Sequence, residues 1–337
     1  MPMTAIQAVA ALVFIGIMAY GLFGGADFGS GLWDLTAGDA RRGGPLRSLI
    51  DHSIGPVWEA NHVWLIFVLV YLWTGFPRAF GAIVTTLTVP LAAAAVGITL
   101  RGSSFAFRKV TASLAEARIF GAVFALSSVI TPFFLGTVAG AVASGRVPAA
   151  GEGDVWRSWT GPSSVLGGAL AVGTCAYLAG VFLVSDAHRT GHEELVELLR
   201  RRVMRVGALT GVMAFGGIFV LRHDAPTLFH GLIGRGLIFI LASALGGVVS
   251  LYALWKRRFA WVRLAAAAAV ASVLAGWGTA QYPWVLVDEL TLTTGAGANA
   301  TIRALLGVGM AAIVIVVPSL VWLYRLVDSP PSTAHHA

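Results

Sequence analysis

The sequence predicts an all-α, polytopic membrane protein, and three observations carry that prediction. Only 12% of its 337 residues are charged while 57% are hydrophobic, whereas a soluble domain carries about a quarter charged residues. Mean hydropathy is +0.80. Apolar runs of about 20 residues, the length that crosses a ~30 Å hydrocarbon layer, recur nine times. Such a composition cannot build a solvated shell, which excludes a soluble enzyme. The formal net charge of +7 would suggest nucleic acid in a soluble chain. Here it reads as an orientation signal, and no nucleic-acid partner is expected. One cysteine, Cys175, excludes an internal disulfide and any paired-cysteine metal or redox motif within the chain.

The nine runs fall at 5–26, 57–76, 79–100, 119–143, 163–185, 204–221, 232–254, 261–280 and 303–325. The first is a crossing rather than a signal peptide, because no Lys or Arg precedes it and it exceeds the usual apolar core of about 7–15 residues. Spans seven and eight are separated by Lys256-Arg257-Arg258-Phe259-Ala260. Merging them would strand those charges in lipid at about 2.5–3.5 kcal/mol each, so a basic hairpin turn is expected. Of 23 Lys and Arg residues, only Arg78, Arg146, Arg157, Arg222, Arg235 and Arg303 fall in loops after even-numbered spans. Basic residues stay cytoplasmic, so the N-terminus is expected outside and the C-terminus inside. Nine helices suit two four-helix bundles plus one extra helix, a single transmembrane domain over 1–327. The polar, proline-broken tail at 328–337 is expected to be disordered. From His192 to Arg202 the pattern predicts an interfacial helix with Glu197 and Arg201 as an i,i+4 pair, its arginines near anionic lipid head groups or a partner.

Ionisable residues in hydrocarbon need a reason, and three places stand out. At the end of span one, Gly21, Gly25 and Gly29 recur every four residues and predict close helix packing. Beside them Asp27 is either a boundary carboxylate paired with an arginine or a proton-handling group. At the start of span two, Trp58, Glu59, Asn61 and His62 share one turn after Gly55-Pro56. A half-desolvated carboxylate beside an imidazole can trade a proton, because burial raises one pKa and lowers the other. The alternative is an interfacial tryptophan anchor with a satisfied Glu–His hydrogen bond. His62 has no second ligand at helical spacing, so no metal site is expected. After span three, Arg101 and Arg108 flank Phe105 and Phe107, a pattern that serves positive-inside anchoring, a cofactor propionate or a neighbouring subunit.

These blocks carry a resemblance. The order Gly24-Gly25-Ala26-Asp27-Phe28-Gly29, then Ile54 through Leu65, then Phe76-Pro77, then Arg101 through Arg108 resembles subunit II of cytochrome bd-type quinol oxidases. It is strongest over residues 20–110 and weaker near Tyr282-Pro283, Pro318 and Tyr324. The resemblance implies a subunit of a bacterial cytoplasmic (inner) membrane complex that oxidises quinol and reduces oxygen to water with cytoplasmic protons. It implies a haem-bearing subunit I as partner, with haem b and haem d held there and none in this chain. A structural quinone, membrane lipids and small accessory subunits are further partners it leaves open. Carried over, Glu59 takes the place of the family's usual Asp after Trp and would take up the proton, with His62 and Asp27 beside the route. Trp58, Asn61, Arg101 and Arg108 would contact quinone or the partner subunit. Gly24 and Ala106 replace acids of the family pattern, and His62 stands where many members have Gln or Glu, which marks a divergent member. Two rival readings are a secondary transporter, whose site would lie mid-membrane between broken helices, and a purely structural assembly partner.

Overall fold

A computed structural model describes residues 4–38, 43–54, 58–110 and 113–328, which are mostly helical. The first crossing is one rod, Ala5–Leu35, in which α1 (Ala5–Ala19) and α2 (Gly25–Leu35) are joined by a π turn at Tyr20–Gly24. Thr4 caps α1 and Gln7 bonds back to Thr4, a reciprocal capping box. The rod outruns the expected 5–26, and Asp27 therefore lies well inside it rather than at its end.

Next come α3 (Gly44–Ile54), α4 (Trp58–Gly75), α5 (Pro77–Thr86) and α6 (Thr88–Val110). The chain bends by 116° between Asn61–Gly75 and Pro77–Thr86. Proline cannot donate a helical hydrogen bond and pushes the residue before it out of the α region; Phe76 accordingly has φ −133° and ψ 60°. A second break follows at Leu87. The third crossing thus starts at Thr88, not at residue 79. Then follow α7 (Leu114–Ala143), α8 (Pro162–Arg189), α9 (Glu193–Asp224), α10 (Pro226–Ile233), α11 (Leu237–Trp255) and α12 (Phe259–Gln281). The helix expected from His192 to Arg202 forms the first turns of α9 and leads straight into the following crossing. The basic turn between α11 and α12 forms as expected, with Arg257 at φ 56°. A two-stranded antiparallel hairpin, β1 (Trp284–Leu286) and β2 (Leu290–Thr291), precedes the short α13 (Leu292–Gly295) and the long α14 (Asn299–Asp328).

Among the described residues, eight helices are long and apolar enough to cross a membrane, or nine when the bent pair counts as one crossing. Two large apolar clusters hold opposite ends together. At the arginine-rich end Trp33, Leu49, Ile50, Leu178, Leu199, Leu254 and Phe259 pack together. At the other end Val9, Leu12, Tyr71, Phe76, Leu286 and Ile302 do so. The central helix is α8, packed against α2, α7, α9 and α12. Lipid tails are as apolar as leucine, so helix association here relies on close packing rather than on exclusion from water. Small residues supply it: a Cβ on Gly136 would overlap the Gly167 carbonyl, and one on Gly140 would overlap the Ser163 carbonyl.

Candidate functional site

The site begins with a spacing. Asp27 and Asp34 stand seven residues apart on α2, and Arg101 and Arg108 seven apart on α6. Seven residues make about two helical turns, so each pair lies along one face. The four groups meet as two rungs: Arg101 Nη2 to Asp27 Oδ1 at 2.6 Å, and Arg108 Nη1 to Asp34 Oδ2 at 2.5 Å. Because the lower numbers pair together and the higher numbers pair together, α2 and α6 run parallel. The first and third crossings of an alternating bundle must do so.

The inner rung is buried completely, with both side chains 2% exposed. Arg101 Nε donates to Ser128 Oγ on α7 at 2.9 Å, and Nη2 also donates to the Asp27 carbonyl at 3.2 Å. The guanidinium lies 4.9 Å from the Phe28 ring centroid and 5.0 Å from that of Phe124. Two desolvated ions are tolerable only where the surrounding geometry satisfies most of their polar atoms. It is incomplete at one atom: Asp27 Oδ2 accepts no hydrogen bond among the described residues. The outer rung is wetter and branched. Arg47 Nε of α3 donates to Asp34 Oδ1 at 2.8 Å, and Arg108 Nη2 reaches Asp51 at 3.3 Å. Helix α3 is thereby tied to α2 and α6.

The start of α4 faces the inner rung. Asn61 is buried and donates from Nδ2 to the Phe23 carbonyl in the π turn at 3.3 Å. Such turns insert a residue into a helix and recur at functional sites; Gly21, Gly24 and Gly25 spare this one the crowding of side chains. The His62 ring stands edge-on to Phe28 at 6.0 Å and 6.3 Å from Tyr20. The Tyr20 hydroxyl is buried and has no hydrogen-bond partner among the described residues. The backbones of Trp58 and Glu59 open α4, but their side chains lie outside the described residues. Behind the site the glycine stripe does pack closely. A Cβ on Gly29 would run into the Cys175 carbonyl of α8, and Trp33 Nε1 donates to the Ala176 carbonyl at 2.8 Å.

Of the residues singled out in the sequence, Asp27, Asn61, His62 and Arg101 come together. Arg108 lies one rung further out. Asp27 has the arginine partner that one of its two readings required. Arg101 is 1% exposed and spends its donors inside the chain, a placement that positive-inside anchoring did not foresee. Asp34, Arg47, Asp51, Ser128 and Tyr20 were missed. A signal for Asp34 was present, since its offset from Asp27 repeats the offset of Arg108 from Arg101. Among the described residues, no three His, Cys, Asp or Glu side chains converge as a metal set would.

A bundle of long apolar helices whose buried acid is clamped by arginine at the arginine-rich end is a multi-pass membrane protein with a charged interior site. Residues 5–327 match the family model described as cytochrome bd terminal oxidase subunit II, and the chain belongs to that family. It is 20% identical to the putative cytochrome bd menaquinol oxidase subunit II of Bacillus subtilis (strain 168), covering 96% of this chain and 94% of that one. To the cytochrome bd ubiquinol oxidase subunit 2 of the same organism it is 21% identical, covering 93% of each. Its fold is similar to a chain in the structure of bd oxidase from Geobacillus thermodenitrificans, with a TM-score of 0.78, 25% identity, and coverage of 96% of this chain and 98% of that chain. The chain is therefore a subunit of a terminal quinol oxidase that reduces oxygen, a multi-pass protein of the bacterial inner membrane. The family uses haems, and a subunit II implies a subunit I. A secondary transporter no longer describes it.

Proposed function

We propose that this chain supports the haem-bearing subunit I and lines the route by which cytoplasmic protons reach the oxygen-reducing site. Reducing oxygen to water consumes protons, and a membrane interior supplies none without ionisable or hydroxyl groups to carry them. The observation that carries the proposal is the buried Asp27 carboxylate, held on one oxygen by Arg101 with its other oxygen uncommitted among the described residues. A buried polar atom without a partner calls for water, an ion or a role in chemistry. In this reading Glu59 takes up the proton at the inner mouth of α4, His62 stands one turn deeper, and Asp27 receives it across the helix interface. Arg101 holds the Asp27 carboxylate in place through one oxygen, and Asn61 fixes α4 against the π turn. Trp58 and Arg108 would contact subunit I or quinone. The haems b and d belong to subunit I, whose chemistry is oxygen reduction; this chain holds no haem of its own.

The reading requires the N-terminus outside and the C-terminus in the cytoplasm, as the arginine distribution favours, with two four-helix bundles and one further helix forming the membrane domain. The test is steady-state oxygen consumption by the two-subunit complex carrying Glu59→Gln. A loss of roughly 100-fold is expected, the scale of a positioned proton-transfer group, with haem absorbance unchanged. A purely structural subunit would leave turnover intact wherever the haems are intact.

A further inference from the structure

At the arginine-poor end, Pro226 opens α10 at its first turn, where a missing N–H costs little. Helix α10 then packs so tightly against the end of α12 that a Cβ on Gly231 would overlap the Ala280 backbone. Between α10, the Gly234–Gly236 turn and the chain after α12 lies a cleft of about 340 Å³, lined among others by Thr227, His230, Arg235, Tyr282 and Trp284. Arg235 is fixed there: Nη2 donates to the Tyr282 carbonyl at 2.5 Å, and its guanidinium lies 5.5 Å from the Tyr282 ring centroid. Among the described residues it meets no carboxylate. Arg146, at the same end, is instead paired with Asp224. Asp288 is turned to another cleft residue, accepting the Thr227 hydroxyl at 2.9 Å.

We propose that this cleft binds the phosphate of an anionic membrane phospholipid, with an acyl chain lying along α11. Guanidinium geometry suits phosphate oxygens, and the Tyr282 carbonyl leaves Nε and Nη1 for them, with His230 as a further donor. The second half of the argument is the helix that leaves the cleft. Ile238, Leu241, Leu245 and Val248 of α11 follow one another at three- and four-residue steps, and each is more than 60% exposed. From Ile238 to Val248 the helix rises about 15 Å, the depth of one leaflet of a ~30 Å hydrocarbon layer. A charged pocket at the head of an uncovered apolar stripe of that length matches a phospholipid end to end. An arginine stranded on the side where basic residues are scarce also acquires a reason to be there.

The experiment uses the purified two-subunit complex, stripped of lipid in detergent, with thermal unfolding followed as dioleoylphosphatidylglycerol is added. Arg235→Gln is the variant, because its amide can still donate to the Tyr282 carbonyl while the charge is gone. Phosphatidylglycerol should raise the unfolding temperature of the parent complex, and the half-effective concentration should rise on the order of tenfold in the variant, the size of one charge-assisted hydrogen bond. Dioleoylphosphatidylcholine and inorganic phosphate should do nothing at matching concentrations. Identical titrations for parent and variant overturn the proposal. So does an equal response to inorganic phosphate, which would make the cleft a free-anion site, or native mass spectra in which Arg235→Gln loses a neutral quinone instead of a phospholipid. Should Arg235→Gln fail to assemble, His230→Gln is titrated in its place, with a several-fold weakening expected and none contradicting the assignment.

Discussion

Replacing Asp27 with Asn removes one charge from the inner rung and leaves its partner in place. Arg101 is 1% exposed, so it cannot turn to water. Breaking a buried pair by deleting one partner costs about 3–5 kcal/mol. The low end of that range applies, ~3 kcal/mol, because Arg101 keeps Ser128, the Asp27 backbone carbonyl and two aromatic rings. Asp34→Asn serves as the internal comparison. Its arginines, Arg108 and Arg47, are 15% and 28% exposed and can recover hydration, so roughly 1–2 kcal/mol is expected there. The assay is unfolding of the purified complex in mixed micelles, read by tryptophan fluorescence and compared with Asp27→Asn/Arg101→Gln. The double variant should be less damaged than the sum of the singles by about 2 kcal/mol, because the stranded charge goes with its partner. Strict additivity, or a loss under ~1 kcal/mol for Asp27→Asn, would show that the rung is not a desolvated ion pair.

Three further outcomes follow from the same geometry. Gly29→Ala should push α2 from α8, because the new Cβ meets the Cys175 carbonyl; overpacking of this kind costs about 1–3 kcal/mol, seen as reduced complex yield in membranes, whereas Gly121→Ala, with nothing within 4 Å, should be neutral. The Asp154 carboxyl accepts the N–H groups of Arg157 and Trp156, which pull its pKa below 3.8. Its contribution to that turn is therefore complete above the ordinary carboxylate value and lost only as pH falls through the lower folded one. Hydrogen exchange at Trp156 and Arg157 should stay slow at pH near 4 and quicken below it, and Asp154→Asn should abolish the dependence. Because native Cys175 is buried, single cysteines report orientation: an impermeant thiol reagent on intact cells should label Glu152→Cys and spare Thr190→Cys, and the reverse pattern would invert the topology.

Much of this fold was legible because a membrane imposes its length rule on every crossing. The span boundaries that slipped did so where local chemistry outweighs hydropathy. Pro77 turned an apolar stretch aside and moved the third crossing to Thr88. The glycines around Tyr20 let the first helix continue through a π turn to Leu35, which hydropathy alone ends near residue 26. For the site, residue type found Asp27, Asn61, His62 and Arg101, since such groups are conspicuous in an apolar chain. Their pairing was not legible from type alone. Arg101 resembled any basic residue beside a membrane surface, and Ser128 resembled any helix hydroxyl. Only the equal seven-residue offsets on α2 and α6 encode the ladder, and an offset becomes meaningful once the two helices are known to be parallel neighbours.

The central claim is that protons reach the oxygen-reducing partner through Glu59 and Asp27, and proton uptake during a single turnover tests it most directly. With the reduced complex mixed with oxygen in weakly buffered solution containing a pH dye, Glu59→Gln should bind oxygen as the parent does and then take up protons at least tenfold more slowly. Uptake at the parental rate in a complex with normal haem absorbance would contradict the account.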